Sequence, residues 1–181
     1  MTENRYVLLD RDGVINHDSD DFIKSPEEWQ PIDGSLEAIA LLNAHGYRIA
    51  VITNQSGLAR GLFDDSVLEK IHQKMHRLTN DKDGNIDAIY FCPHGADSAC
   101  NCRKPKPGLL ELFAAEKHAD LAHTYFIGDS WRDIQAALAA GALPMLVKTG
   151  KGQKTLTEHP NLNIPVFDTL YDAAKHIVSG Q

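Results

Sequence analysis

Two carboxylates stand two positions apart in Asp10-Arg11-Asp12-Gly13-Val14, directly after the apolar run Tyr6-Val7-Leu8-Leu9. In an extended chain residues i and i+2 point the same way, so Asp10 and Asp12 are expected on one side and Arg11 on the other. Like charges this close both stay ionised only beside a cation; otherwise one holds a proton at neutral pH, and either arrangement is chemically useful. The plain alternative is a solvated turn, since Asp and Gly are common turn residues. A second constellation is Cys92-Pro93-His94 with Cys100-Asn101-Cys102, which gathers every cysteine of the chain into eleven residues. Cys92, His94, Cys100 and Cys102 form a Cys₃His set able to close a tetrahedral zinc site. Four protein ligands leave no open position, so the expected zinc is structural, a staple for the loop; the alternative is a cluster of reduced cytosolic thiols.

The elements that must position these residues follow from apolar periodicity. Short apolar runs predict strands at Tyr6–Leu9, Arg48–Thr53, Ala88–Cys92, Tyr125–Gly128 and Pro144–Val147, with a short one near Val166-Phe167. Helical spacing predicts helices over Gly34–His45, Asp65–Leu78, Gly108–His118, Trp131–Ala140 and about Leu170–Val178. Alternation of the two implies an α/β fold with a Rossmann-like parallel sheet flanked by helices, and the whole chain, 1–181, is expected to form one domain. Two segments break the rhythm: the acidic, turn-rich 17–33, expected as a flap over the site, and the cysteine-bearing 92–107.

Ligands of open parallel sheets bind beyond the carboxyl ends of the strands. There the first strand delivers Asp10 and Asp12, the second Thr53-Asn54-Gln55-Ser56-Gly57, and the fourth Gly128-Asp129 with Asp133 four residues on. Arg103-Lys104-Pro105-Lys106-Pro107-Gly108 follows the cysteine loop and opens a helix. Acids, a hydroxyl and a lysine on one rim suit Mg²⁺ and a phosphoryl group.

In that order, Asp10-x-Asp12-Gly-Val, Thr53, Lys104 and Gly128-Asp129-x-x-x-Asp133 resemble the four motifs of the haloacid-dehalogenase-like (HAD) phosphatases. The resemblance implies Asp10 as nucleophile, Asp12 as acid and then base, Thr53 and backbone groups of Asn54 and Gln55 on the phosphoryl oxygens, and Lys104 against the developing charge. It places Mg²⁺ on Asp10, the carbonyl of Asp12 and Asp129, with Asp133 supporting, and prefers Lys104 over its rival Lys106. No stretch between motifs is long enough for a large cap domain. Asp-Arg-Asp-Gly-Val-Ile-Asn, Thr-Asn-Gln-Ser-Gly-x-Ala-Arg-Gly and Cys-Pro-His with Cys-x-Cys-Arg-Lys-Pro-x-Pro-Gly are most similar to the heptose-bisphosphate phosphatase branch. That implies removal of the 7-phosphate of a heptose 1,7-bisphosphate in ADP-heptose supply for lipopolysaccharide, with Arg103, Asp18, Asn54, Gln55 and Ser56 meeting the substrate. Ser130 stands where some members have a lysine, which removes one grip on the second phosphate. Histidinol-phosphate phosphatase is the nearest rival, and a phosphoacceptor signalling domain is a rival of another class whose motif order does not match.

Composition bounds the rest. A net charge of −7 disfavours nucleic acid as a partner, and with it a DNA 3′-phosphatase; a small sugar phosphate is the expected one. No long apolar stretch exists, and Met1-Thr2-Glu3-Asn4-Arg5 lacks a signal-peptide pattern, so a cytoplasmic protein with no membrane partner is expected, as a monomer. Asp18-Asp20-Asp21 lacks the spacing of a calcium loop, Lys148–Lys154 reads as a solvated basic loop, and the histidines other than His94 read as solvated.

Overall fold

The computed structural model describes residues 5–180, so the reading of Met1–Asn4 as leaderless lies outside the described residues. The chain runs β1 (Arg5–Leu9), α1 (Ser35–Ala44), β2 (Tyr47–Asn54), α2 (Asp65–Asn80), β3 (Ala88–Cys92), α3 (Gly108–Lys117), β4 (Tyr125–Gly128), α4 (Trp131–Ala140), β5 (Leu143–Val147), α5 (Gly152–Glu158), β6 (Val166–Phe167) and α6 (Leu170–Ser179). All six strands are parallel, in the order β3-β2-β1-β4-β5-β6. The order reverses between β1 and β4, and the gap this opens at their carboxyl ends is where such sheets hold ligands. Leu9 pairs with Val51 on one side and Ile127 on the other, so Asp10 and Asp129 emerge beside each other.

Both faces of the sheet are covered. Val7, Leu9, Ile49, Val51, Ile127 and Met145 pack under α1, α2 and α6, whereas Tyr6, Leu8, Ala50, Ile52 and Phe126 pack under α3 and α4. This two-face burial explains why the strands read as continuous apolar runs. Among the described residues no helix is long and apolar enough to cross a membrane.

Two expectations need correction. Lys148–Lys154 is largely exposed but is not all loop: α5 begins at Gly152, and the Thr155 hydroxyl donates to the Asp129 carbonyl at 3.1 Å. Its polar sequence carries no apolar stripe, and tertiary contacts hold the helix instead. The strand also ends at Leu9, so alternation does not reach Asp12; the Arg11 carbonyl accepts from the amides of Ile15 and Asn16 in a tight turn. The 17–33 segment is pinned to the body. Trp29 and Ile23 are buried in it, and the Lys74 ammonium donates to the carbonyls of Pro26 and Trp29 at 2.7 Å each.

Candidate active site

A cavity of about 240 Å³ opens at the carboxyl ends of β1, β2 and β4. Asp10 leaves β1 with its backbone amide donating to the Ile127 carbonyl at 3.0 Å, which fixes it between β1 and β4. Lys104 comes from beyond β3, yet its ammonium spends its three donors at this point: on Asp10 Oδ1 at 3.0 Å, Asp133 Oδ1 at 2.7 Å and the Ile52 carbonyl at 2.9 Å. Asn54, at the end of β2, makes that reach possible. Its side chain donates to the Lys104 carbonyl at 3.1 Å and accepts from the Lys104 amide at 3.0 Å. Lys106 is exposed and donates to the Cys100 carbonyl, so of these two lysines it is Lys104 that enters the site.

Asp133 serves the site through its helix. Its Oδ2 accepts from the backbone amides of Asp129 and Ser130 at 3.1 Å and from the Ser130 hydroxyl at 2.9 Å, capping α4 while its other oxygen holds Lys104. Asp129 Oδ2 accepts from the Lys151 amide at 2.8 Å. Gly13 and Gly150, both at positive φ, crowd this carboxylate so closely that a Cβ on either would collide with it.

The acids differ in electrostatic state. Burial pushes Asp10 up to about 7, Asp133 adding and Lys104 opposing; burial likewise pushes Asp129 up to about 9, aided by Asp133 and Asp10. Burial also works against ionised Asp12 and Asp133, but each is held below the usual carboxylate range, Asp12 by Arg11, Asn16 and Gln55 and Asp133 by Lys104 and Ser130. Carboxylate oxygens of Asp10, Asp129 and Asp133 lie within 4.8 Å of one another. Were all four acids ionised against Arg11 and Lys104, two negative charges would be buried, a state that burial opposes and that a hard divalent cation with oxygen preference would favour.

Asp12 does not simply face the cavity. Its Oδ1 accepts from Arg11 Nη2 at 2.9 Å and Asn16 Nδ2 at 2.9 Å, and its Oδ2 from Gln55 Nε2 at 3.1 Å. Thr53 is fully buried beside the cavity, and its hydroxyl accepts from Gln55 Nε2 at 2.9 Å. Asn54, Gln55 and Ser56 line the cavity at that strand end.

Arg60, Arg103 and Arg132, near enough to one another to interact, also line the cavity, as do Asp18, Ser19, Asp20 and Phe22. Among the described residues the arginine salt bridges to acids are those of Arg11 and Arg48, so these three arginines offer uncompensated charge. Burial lowers the Arg103 pKa and the neighbouring Arg132 and Arg60 lower it further. Lys151 Nζ reaches Asp18 at 3.2 Å and ties the 17–33 segment to the loop before α5. Sequence reading singled out Asp18 and Arg103 but missed Arg60, Arg132 and Lys151. Arg132 lies three residues beyond the noticed Asp129, and Lys151 lay in the segment read as solvated.

Beside Arg103 the cysteines and His94 converge. Cys92 Sγ is 3.8 Å from Cys100 Sγ and 3.4 Å from His94 Nδ1, and His94 Nδ1 is 3.3 Å from Cys102 Sγ. Zinc–sulfur bonds of about 2.3 Å in a tetrahedron require sulfur–sulfur edges of about 3.8 Å. The Cys92–Cys102 edge is tighter, at 2.9 Å, and the cysteines form no disulfide. Zinc therefore fits this set, and the Arg103 guanidinium donates to the His94 carbonyl at 3.2 Å, coupling the cluster to the cavity wall.

A parallel sheet with carboxylates after β1 and β4 and a lysine brought over from β3 defines a HAD-like hydrolase, and a HAD-hydrolase-like family model matches residues 101–173. The chain is 49% identical over 178 residues to the D-glycero-beta-D-manno-heptose-1,7-bisphosphate 7-phosphatase of Neisseria meningitidis serogroup A, covering 96% of this chain and 95% of that protein. The enzyme of the same name from Pseudomonas putida is 47% identical over 174 residues, covering 96% and 99%. A crystal structure of D,D-heptose 1,7-bisphosphate phosphatase from B. bronchiseptica, complexed with magnesium and phosphate, matches with a TM-score of 0.95 at 47% identity, covering 98% of this chain and 99% of that one. The chain belongs to this family of heptose-bisphosphate phosphatases within the HAD-like hydrolases.

Proposed function

We propose that the chain removes the 7-phosphate of D-glycero-β-D-manno-heptose 1,7-bisphosphate, in cytoplasmic ADP-heptose supply for lipopolysaccharide, acting as a monomer. The observation that carries this is the division of one cavity into a buried acid–lysine cluster and an unpaired arginine wall. The first suits the phosphoryl group that reacts, and the second suits a phosphate that stays. Magnesium held by Asp10, Asp129 and the Asp12 carbonyl, with Asp133 behind them, would lower the charge barrier between carboxylate and phosphate.

Asp10 attacks phosphorus, forming an aspartyl-phosphate as the bond from phosphorus to the sugar oxygen breaks. Asp12 delivers a proton to that oxygen. It then takes one from the water that attacks phosphorus, and phosphate leaves with Asp10 regenerated. The hydrogen bonds now made by Asp12 hold its ionised, base form, so it must gain its proton as the phosphate dianion arrives. Lys104 balances charge on Asp10 and the phosphoryl oxygens. Thr53 orients Gln55, while Asn54 and Ser56 present polar groups to the substrate. Arg103, Arg60 and Arg132 take the 1-phosphate, the last supplying a cation that Ser130 does not. Asp18 faces the sugar hydroxyls, and Cys92, His94, Cys100 and Cys102 would hold a zinc that steadies the loop on which Arg103 sits.

A phosphate-release panel over both anomers of the heptose bisphosphate, histidinol phosphate and fructose bisphosphate tests this reading. The β-heptose bisphosphate is expected to give the highest kcat/KM, and Asp10→Asn to lose at least about 10³-fold in kcat with its melting temperature kept. Faster turnover of histidinol phosphate overturns the substrate, and an active Asp10→Asn overturns the nucleophile.

A further inference from the structure

Arg11 is the unusual residue at this site: its side chain has no exposure at all, yet it carries a full charge. Its Nε and Nη2 both reach Asp12 Oδ1, at 3.1 and 2.9 Å, and Nη2 also contacts Gln55 Oε1 at 3.3 Å. That leaves Nη1. It points at His72 Nε2, 3.2 Å away, on the inner face of α2. A guanidinium has donors only, so the imidazole nitrogen accepts, which fixes His72 as the neutral tautomer with its proton on Nδ1. His72 was expected to be solvated. It is instead 9% exposed and packed toward Phe91.

We infer that His72 is a positioning residue for the reaction, acting through Arg11 to aim the Asp12 carboxyl. A buried guanidinium with an empty Nη1 would gain by rotating or shifting to find an acceptor, and Asp12 is gripped by the other side of the same rigid fork. With His72 accepting, the fork is held at both ends. Asn16 and Gln55 then fix the remaining directions of the carboxylate, so its approach to the leaving oxygen is set by a network that begins on α2. The inference rests on Asp12 being the acid that protonates the leaving group.

The test compares kcat/KM, which reports steps through leaving-group departure, for the heptose bisphosphate and for p-nitrophenyl phosphate, whose leaving group needs little protonation. His72→Phe keeps bulk but removes the acceptor; kcat/KM on the sugar phosphate is expected to fall about ten- to a hundred-fold, and on the aryl phosphate far less. His72→Gln, which retains an acceptor, should recover most of the loss. Equal losses on both substrates in a folded His72→Phe protein, or no loss on either, overturn the inference. If that variant does not fold, Arg11→Lys, whose ammonium cannot span Asp12 and His72 as a fork does, must show the same selectivity or the inference fails. Asp12→Ala is measured alongside. Equal losses there refute the acid role of Asp12 itself, whatever His72 does.

Discussion

At Asp10 and His72 the same burial has opposite consequences. Burial pushes the carboxyl toward its neutral form and the imidazole toward its neutral form too, but the first must be ionised to attack while the second must be neutral to accept from Arg11. Burial, with the Arg11 charge adding, takes His72 down to about 3. An unfolded His titrates near 6.5, so the unfolded chain binds a proton below that pH which the folded chain refuses. The contribution of His72 to stability is therefore intact above about pH 6.5 and is lost progressively as pH falls toward about 3. Urea denaturation of wild type and His72→Gln at pH 7.5 and 5.0 checks this: the variant should show the smaller acid-side loss, and parallel losses would count against it. Sequence alone exposed the chemistry of Asp10 because a strand end announces it. His72 stayed hidden, since a histidine at helical spacing gives no sign of the arginine sixty-one positions away that it serves.

Loops and helix starts hold the site at the next scale. The 92–107 segment leaves the edge strand β3 and is fastened twice, by the cysteine cluster and by the paired hydrogen bonds between Asn54 and the Lys104 backbone. Only the first of these would depend on a zinc held by the cluster. Chelation should therefore release Arg103 before Lys104, so KM for the bisphosphate should rise several-fold before kcat falls. Zinc analysis should give about one ion per chain, and Cys100→Ser should reproduce the split. A preparation free of zinc with unaltered KM would remove the staple from the account. The cysteine spacing made this loop legible in advance. The α5 start was not, because Lys151 and Thr155 are held by Asp129 across space and by no periodic pattern of their own.

Across the whole molecule, a net charge of −7 accompanies a cavity lined by three arginines that have no acid in a salt bridge among the described residues. The chain as a whole repels phosphates that its interior attracts, so capture depends on a short-range field that salt screens over about 8–10 Å. Raising ionic strength should lower kcat/KM for the bisphosphate more steeply than for a heptose 7-monophosphate, and Arg132→Ala should bring the two slopes together. Identical slopes in the wild type would show that the arginine wall does not read the second phosphate. The layered fold was visible in the alternation of apolar runs and helical stripes. The wall was not, since Arg60, Arg103 and Arg132 meet only after three separate βα units have closed.

The strand order has a consequence for change over time. Asp10 and Asp129 rise from the two central strands, whereas Arg103, its cysteine staple and Lys104 follow the edge strand β3. A segment at the margin can be lengthened, shortened or exchanged without disturbing the pairing between β1 and β4. The cysteine loop and Arg103 can thus vary while Asp10 and Asp129 stay in place, on condition that Lys104, carried by the same segment, keeps its reach to Asp10. New preferences among phosphate esters would then arise by changes ahead of Lys104, where the cysteine loop meets the cavity wall through Arg103.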